Sequence, residues 1–452
     1  MSTSDDLLQT LRVEHRLPAR QLLERLRISR PTLMRAVHAL GTQVVARGQA
    51  RRTAYAARRS VRATLDSLPL FRVDQQGRAH EVAQLLPTYP HGCAMAYQES
   101  LAWPLDADMA AGWFEGLPYF LDDMRPQGFL GRHFAQHYAT LLQVSDDPRN
   151  WSEDDTLYAL ALLGSDQPGC YILGETAMRH WLSQAQQEPA ALDDSNFLDG
   201  YVARAAGSMA QGVAGSSAAG EFPKFTAVRR RDGSFYHVIV KFSGSDVSAG
   251  TQRWSDLLVC EHLALHCVAD QLHLHAARSH LHQAGGRTFL EVERFDRHQA
   301  HGRSPVCSWA ALNGALFGQG GKSWISAAQA LRDKGFINEP MREGIELLWH
   351  FGQLIANSDM HDGNLSFFPG LQVAPAYDML PMLYAPVRGV ELPQRAFEPA
   401  LPLPAQRACW QSAATAAQQF WKEASLDGRI SPEFRAMCAH NARHLAGLLE
   451  RL

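Results

Sequence analysis

The chain has no Cys-x-x-Cys pair. Its seven cysteines are scattered over 452 residues. An odd, dispersed set argues for free thiols in a reducing cytoplasm and against a zinc ribbon. Cys260, Cys267 and Cys307 lie in apolar surroundings and read as small core residues. No uninterrupted apolar run is long enough to cross a bilayer, so no membrane span is expected. The opening Met1-Ser-Thr-Ser-Asp-Asp6 is polar and acidic, unlike a signal peptide. A Walker A loop is absent, which excludes that route to a bound phosphate. Lysine is missing from the first 65 residues, whose positive charge is carried entirely by 13 arginines.

What remains is the composition of a globular protein, 46% hydrophobic and 20% charged, and long enough for two or three domains. Net charge is −3, but residues 1–65 carry only four acids (Asp5, Asp6, Glu14, Glu24), giving +9 there and leaving −12 for the remainder. A basic head on an acidic body is the charge footprint of a nucleic-acid reader joined to something else.

Within that head, Asp5 to Glu14 reads as a helix with Leu7, Leu8 and Leu11 on one face. Leu17-Pro18 breaks it, and Ala19 to Leu26 forms a second. Ser29 caps a third, with Pro31 in its first turn, running to Leu40. A short turn between two helices is a helix-turn-helix, whose last helix enters the major groove. Arg30, Thr32 and Arg35 face outward as base-edge contacts. Val44 to Tyr55 reads as a hairpin with a basic tip, a wing that places Arg47, Arg51 and Arg52 on phosphates. The competing reading is a helical docking domain with a solvated arginine face. Such readers usually bind two half-sites as dimers, so a homodimer is expected.

Residues 66–200 read as a mixed α/β segment. Pro69–Asp74 and Ala79–Leu85 alternate around Asp74-Gln-Gln-Gly77 as a hairpin, and a further strand is expected to open near Tyr97. The Pro-, Gly- and aromatic-rich stretch 117–132 reads as a packed loop. Helices follow at 134–142, 154–163 and 175–188. No catalytic cluster is visible there.

Chemistry concentrates in residues 201–452. An apolar segment, Ile345 to Ile355, runs into Asn357-Ser-Asp-Met-His-Asp-Gly-Asn-Leu-Ser366. Asp359 and Asn364 stand five apart. Phosphoryl transfer needs a carboxylate to orient the attacking hydroxyl and a neutral oxygen ligand for Mg2+ a short loop away, and Asp-x-x-x-x-Asn supplies both. Asp378, in Ala376-Tyr-Asp-Met-Leu380, offers a second carboxylate to the metal after two short strands and a turn. Asp359, Asp362 and Asn364 are also ordinary turn formers, and His361-Asp362 alone could be a metal dyad of a phosphohydrolase. Upstream, the small-residue stretch Gly207 to Lys224 can fold over phosphates or serve as a linker. His237-Val-Ile-Val-Lys241-Phe is a buried strand ending in a lysine, an expensive placement unless the lysine meets phosphate or carboxylate. Glu261, on a helix near 254–268, is placed to pair with it, and Thr288 to Arg297 is another strand ending in charges.

In this order the motifs resemble the HipA-like serine/threonine kinases, bacterial toxin kinases of divergent kinase fold, over about residues 100–450. The resemblance implies Asp359 as catalytic base, Asn364 and Asp378 as Mg2+ ligands, and Lys241 on ATP phosphates with Glu261 as its partner. Glu293 and Phe295 would offer backbone groups to adenine, and His361 sits among the nucleotide-contacting residues. The family's Ser-x-x-Gly-x-x-x-Lys loop matches Ser217, Gly220 and Lys224, with Ser217 or the adjacent Ser216 autophosphorylated. The implied fold class is α+β: an N-terminal helical winged helix-turn-helix domain (1–65), then a HipA-like divergent two-lobed protein-kinase fold. The latter comprises a mixed subdomain (66–200), a nucleotide-binding N-lobe (201–310) and a mainly helical C-lobe (311–452). ATP and Mg2+ are the implied cofactors, and a protein is the implied substrate, an aminoacyl-tRNA synthetase by family analogy. An antitoxin is a candidate partner, although this chain departs from many members by carrying its own DNA reader, which implies autoregulation or DNA targeting. The loop is also bulkier than a plain glycine loop, at Phe222-Pro223. A DNA-binding regulator with a kinase-like ligand sensor, a small-molecule phosphotransferase and a nuclease built on the acidic cluster are the competing functions.

Overall fold

Ser2 starts the first helix: its hydroxyl accepts the Asp5 amide while the Asp5 carboxylate accepts the Ser2 amide, a reciprocal cap. The computed structural model describes residues 2–49, 52–210, 222–320, 323–387, 391–393 and 395–451. The chain divides into two compact units, one formed by Met1–Pro126 with Ala135–Gln187, the other by Gln127–Phe134 with Glu188–Leu452.

The first unit opens with α1 (Thr3–Val13), β1 (Leu17–Pro18), α2 (Ala19–Leu26), α3 (Arg30–Leu40), β2 (Val44–Arg47) and β3 (Ala54–Ala57). Arg27 ends α2 in the left-handed region, φ +50°, and Ser29 caps α3 with Pro31 in its first turn. The three helices meet over Leu7, Leu11, Leu22, Leu33 and Leu40, with Ile28 packed against them. The expected hairpin pairs Val44 to Ala57 through Arg47 to Ala54, and β1 adds to its far edge, giving strand order β1-β3-β2. Every residue of β3 is buried, because its second face packs with Val45 against Ala94 and Trp113. That explains the small side chains of Ala54-Tyr-Ala-Ala57: a strand covered on both faces has no room for more.

The sheet that covers it is five-stranded, in order β7-β6-β5-β4-β8. Its members are β4 (Leu68–Val73), β5 (Ala79–Pro87), β6 (Cys93–Tyr97), β7 (Trp113–Phe114, after the short helix α4, Ala107–Ala110) and β8 (Tyr171–Leu173). The β4–β5 hairpin turns where expected, with Asp74 accepting the amides of Gln76 and Arg78. Tyr97 closes β6, whereas a strand starting there was expected; Cys93-Ala-Met-Ala is buried and supplies its length. The 117–132 stretch forms a 3-10 turn, Tyr119–Met124, and then enters α5 (Gly128–Leu142), which begins earlier than its periodicity indicated and whose residues up to Phe134 group with the second unit. α6 (Glu153–Leu163) and α7 (Glu175–Ala185) complete the unit.

The second unit contains β9 (Leu192–Asp193), α8 (Phe197–Ala210), β10 (Lys224–Arg231), β11 (Ser234–Phe242), α9 (Ala249–Asp270), β12 (Ser279–Ala284) and β13 (Arg287–Glu293). These make a second five-stranded sheet, order β12-β13-β11-β10-β9. Val238, Val240 and Phe242 point to the face carrying Tyr201, Ala205 and Phe225. Strand alternation therefore sends Lys241 to the opposite face. Short pairs follow: β14 (Arg297–His298) with β15 (Gly302–Arg303), then β16 (Cys307–Ser308) beside β17 (Ser366–Phe368) and β18 (Gln372–Val373). Around these lie α10 (Trp309–Leu316), α11 (Trp324–Asp333), α12 (Glu339–Leu354), α13 (Arg407–Leu426) and α14 (Pro432–Leu449). Trp410, Phe420 and Trp421 are buried on α13. Among the described residues no helix is long and apolar enough to cross a membrane.

Candidate phosphotransfer site

The apolar run Ile345–Ile355 is the second half of α12, which buries Ile345, Leu348, Phe351 and Leu354. It delivers the chain to the 357–364 loop. Asn357 is 2% exposed there, although nothing in its local sequence calls for a buried amide. Its Oδ1 accepts the Asp359 amide at 3.1 Å, and its Nδ2 donates to the Asp378 carbonyl at 3.1 Å. Asn364 donates from Nδ2 to the Asp359 carbonyl at 2.8 Å, a bond that does not use its side-chain oxygen. His361 accepts the Gly363 amide on Nδ1 at 3.0 Å, and Asp362 accepts from Asn313 at 3.0 Å. Both members of the His-Asp dyad are thus engaged in shaping the loop. Among the described residues no group of three His, Cys, Asp or Glu side chains is arranged to hold a metal.

From β17 and β18 the chain returns to Tyr377 and Asp378. Asp378 takes a left-handed backbone, φ +54°, which is strained for a residue with a side chain. Lys241 reaches this point from β11. Its ammonium donates to Asp378 at 2.5 Å and to both oxygens of Glu261 on α9, at 2.6 and 2.7 Å. Lys241 and Glu261 are almost wholly buried, whereas the Asp378 side chain is a third exposed. Burial alone would lower the Lys241 ammonium, but the charges of Asp378 and Glu261 overcome it and keep the lysine protonated. Burial would raise Asp378, yet Lys241, with Lys224 behind it, holds that carboxyl below its ordinary value. Glu261 is raised, because complete burial and the nearby Asp378 outweigh its share of the lysine. One cation between two carboxylates leaves the pair short of positive charge. The side-chain oxygens of Asn364 and Asp378 are hard donors of the kind a hard divalent cation selects, so the donor chemistry fits Mg2+.

Lys224 stands directly opposite Lys241 across β10 and β11. Phe222 is buried, and Lys241 lies 6.0 Å over its ring. Ser216, Ser217 and Gly220 lie outside the described residues. At the end of β13 the Glu293 amide donates to the Arg278 carbonyl, so that N–H is already used within the sheet. Phe295 packs 5.8 Å from the Tyr377 ring and 5.9 Å from Phe368, which ties this stretch to the Asp378 loop.

In the first unit Arg30 and Arg35 are exposed on α3, and Arg35 donates to the Thr32 hydroxyl at 3.3 Å. Arg52 is exposed and Arg51 lies outside the described residues. Arg47 does not extend from the hairpin: it is half-buried and donates to the Met95 and Ala46 carbonyls, both at 3.2 Å. The basic character of the head is also partly consumed within the unit. Arg16 meets Asp108, Arg59 meets Asp154 and Arg62 meets Asp155. No composition count could separate these from the outward arginines, since each partner lies about 90 residues away in sequence.

Comparison with known proteins agrees on one family. Residues 216–442 match the HipA-like C-terminal domain and residues 64–182 the middle domain of YjjJ-like toxins. The chain is 38% identical over 421 residues to Toxin YjjJ of Escherichia coli (strain K12), covering 92% of each chain. Among solved structures it is similar to HipA of Shewanella oneidensis MR-1, described in a complex with HipB and its operator DNA, at a TM-score of 0.55 and 16% identity. That likeness covers 85% of this chain and 97% of the other, and shows a shared fold.

Proposed function

The chain belongs to the HipA-like toxin family, and from that premise we propose that it is an ATP- and Mg2+-dependent serine/threonine protein kinase carrying its own DNA reader. The observation that carries this reading is the Lys241 ammonium, held between Glu261 and Asp378 beside the loop of Asp359 and Asn364. A lysine paired with a helix glutamate, next to a carboxylate on a following loop, is the arrangement phosphoryl transfer from ATP uses.

In this reading Asp359 orients the substrate hydroxyl and accepts its proton. Asn364 and Asp378 hold Mg2+, which when bound neutralises charge on the phosphates. Lys241, kept protonated beside Glu261, would be the residue that contacts the phosphates were Asp378 to hold the metal. Lys224, its cross-strand neighbour, adds a second positive charge to the same face, and Gly220 and His361 belong to the same nucleotide-contacting set. Glu293 and Phe295 border the adenine. Ser217 or Ser216 is the site of autophosphorylation. Arg30, Thr32 and Arg35 read base edges, and Arg52 and Arg51 contact phosphates. The three-helix core with its β2–β3 hairpin supports a winged helix-turn-helix, with Arg47 reassigned to internal support. Domain limits of 1–65, 66–200, 201–310 and 311–452 go with this division of labour, as do a cytoplasmic location and a homodimer. The relative's toxin name and the complex of the HipA structure motivate a growth-limiting protein substrate and a DNA-binding antitoxin partner.

Incubation of the full chain with labelled ATP and Mg2+, followed by mass spectrometry, tests the assignment. Label on Ser217 or Ser216 is expected. Transfer only to small molecules would replace the protein kinase by a small-molecule phosphotransferase.

A further inference from the structure

Two side chains outside the proposed catalytic set join the two loops that carry it. Asn357 is buried and anchored to α12 through its amide, which donates to the Gly352 carbonyl at 2.9 Å. From there it holds the Asp359 amide on Oδ1 and the Asp378 carbonyl on Nδ2. One neighbour is a donor and the other an acceptor, so only one orientation of the amide satisfies both. Tyr377 makes the return connection. Its hydroxyl donates to the Gly363 carbonyl at 2.6 Å and meets the Ser366 hydroxyl at 2.8 Å.

The placement is reciprocal. Asn357 lies two residues before Asp359 and grips the backbone of Asp378. Tyr377 lies one residue before Asp378 and grips the backbone one residue before Asn364. Each bond therefore ends on, or next to, a proposed metal ligand. The Asp378 backbone is left-handed and strained, a conformation that persists only when its surroundings fix it, and the Asn357 bond to its carbonyl does so.

We propose that Asn357 and Tyr377 are positioning residues that set the spacing of Asn364 and Asp378, and so the affinity of the site for a divalent cation. This rests on the phosphotransferase reading above. Neither residue contacts the metal or the nucleotide in this scheme. Both act through the ligands, as partners one bond outside a metal site do, where their loss costs about 10- to 100-fold in metal affinity.

The test uses the full chain, Mn2+ as a paramagnetic stand-in for Mg2+, and a non-hydrolysable ATP analogue. Bound Mn2+ is measured by electron paramagnetic resonance for wild type, Tyr377→Phe and Asn357→Asp. Tyr377→Phe removes one oxygen and keeps the ring against Phe295, so it is the variant expected to keep its fold. Asn357→Asp keeps the shape but turns a carboxylate toward the Asp378 carbonyl. The expected result is a Kd for Mn2+ raised about tenfold or more in Tyr377→Phe, with metal-free nucleotide affinity and the melting temperature near wild type. Asn357→Asp shifts in the same direction. Wild-type Mn2+ affinity in a folded Tyr377→Phe overturns the proposal while leaving the phosphotransferase reading intact. No Mn2+ binding by wild type with the analogue overturns both.

Discussion

Lys241 satisfies two carboxylates with one charge, and this makes it the most sensitive single position in the molecule. Lys241→Met leaves Glu261 buried beside Asp378 with no cation between them. Removing one partner of a buried ion pair costs about 3–5 kcal/mol, so the unfolding free energy measured in urea is expected to fall by that amount, with phosphotransfer lost. The lysine's folded pKa is raised, so its stabilising effect is complete below its ordinary value near 10.4 and fades above it. The variant's deficit should accordingly be present at pH 7 and shrink in alkali. His262, on α9, gives the opposite dependence. Burial first, then the neighbouring His266, Arg429 and His280, push it down to about 4, while Asp427 opposes them. A depressed histidine favours the folded state above its ordinary value near 6.5, and that advantage is lost as pH falls toward 4. His262→Asn, which keeps a polar group near the Ser279 hydroxyl, is expected to flatten the fall in melting temperature between pH 6.5 and 4. An unchanged pH profile would remove His262 from the account.

At the scale of elements, α3 and the β2–β3 hairpin carry separate predictions. Arg30 and Arg35 stand on the exposed face of α3, so Arg30→Glu with Arg35→Glu should abolish specific DNA binding and leave kinase activity in place. The salt dependence of the remaining non-specific binding should persist, since the logarithmic slope of about 0.9 per contact comes from phosphate contacts, here assigned to Arg51 and Arg52. Fluorescence anisotropy at several salt concentrations measures both, and unchanged binding would turn the arginine face into a solvated surface. The hairpin depends on Gly48, whose φ is +92° and where an added Cβ would lie 2.4 Å from the Arg52 carbonyl oxygen. Gly48→Ala must distort the backbone, a strain of about 1–3 kcal/mol. Thermal unfolding is expected to fall accordingly, because β3 lies in the middle of the first unit's packing.

At the scale of the whole molecule, much of the architecture was legible because local rules and packing agree. The Ser29 cap and the leucine spacing defined α3, β-branched residues marked β11, and an apolar run led into the Asp359 loop. The Lys241–Glu261 pairing was legible too, from a strand lysine followed by a helix glutamate. Contacts between distant segments were not. Lys241 meets Asp378 across 137 residues, and no spacing rule announces that bond. Asn357 and Tyr377 are single polar residues whose meaning comes only from what the fold places opposite them. The same holds for Arg229, which is 2% exposed and bonded to the buried Glu291 at 2.7 Å. Burial raises that carboxyl, but neighbouring His282 first, then the Tyr201 hydroxyl and the Arg229 charge, hold it at about 2. Its sequence, Arg229-Arg-Arg231, reads only as surface charge. Arg47 failed for a related reason, since outward and inward arginines look alike until the sheet that covers β3 is known.

The central claim is that Asp359 serves a phosphotransferase centre assembled with Asn364, Asp378 and Lys241. The most direct measurement is the rate of label transfer from ATP to protein by wild type and by Asp359→Ala, at equal nucleotide occupancy. A folded Asp359→Ala that binds nucleotide normally and transfers about 10²–10⁴-fold more slowly is the predicted result. Equal transfer by the two proteins, or none by wild type with Mg2+ and ATP, would contradict it.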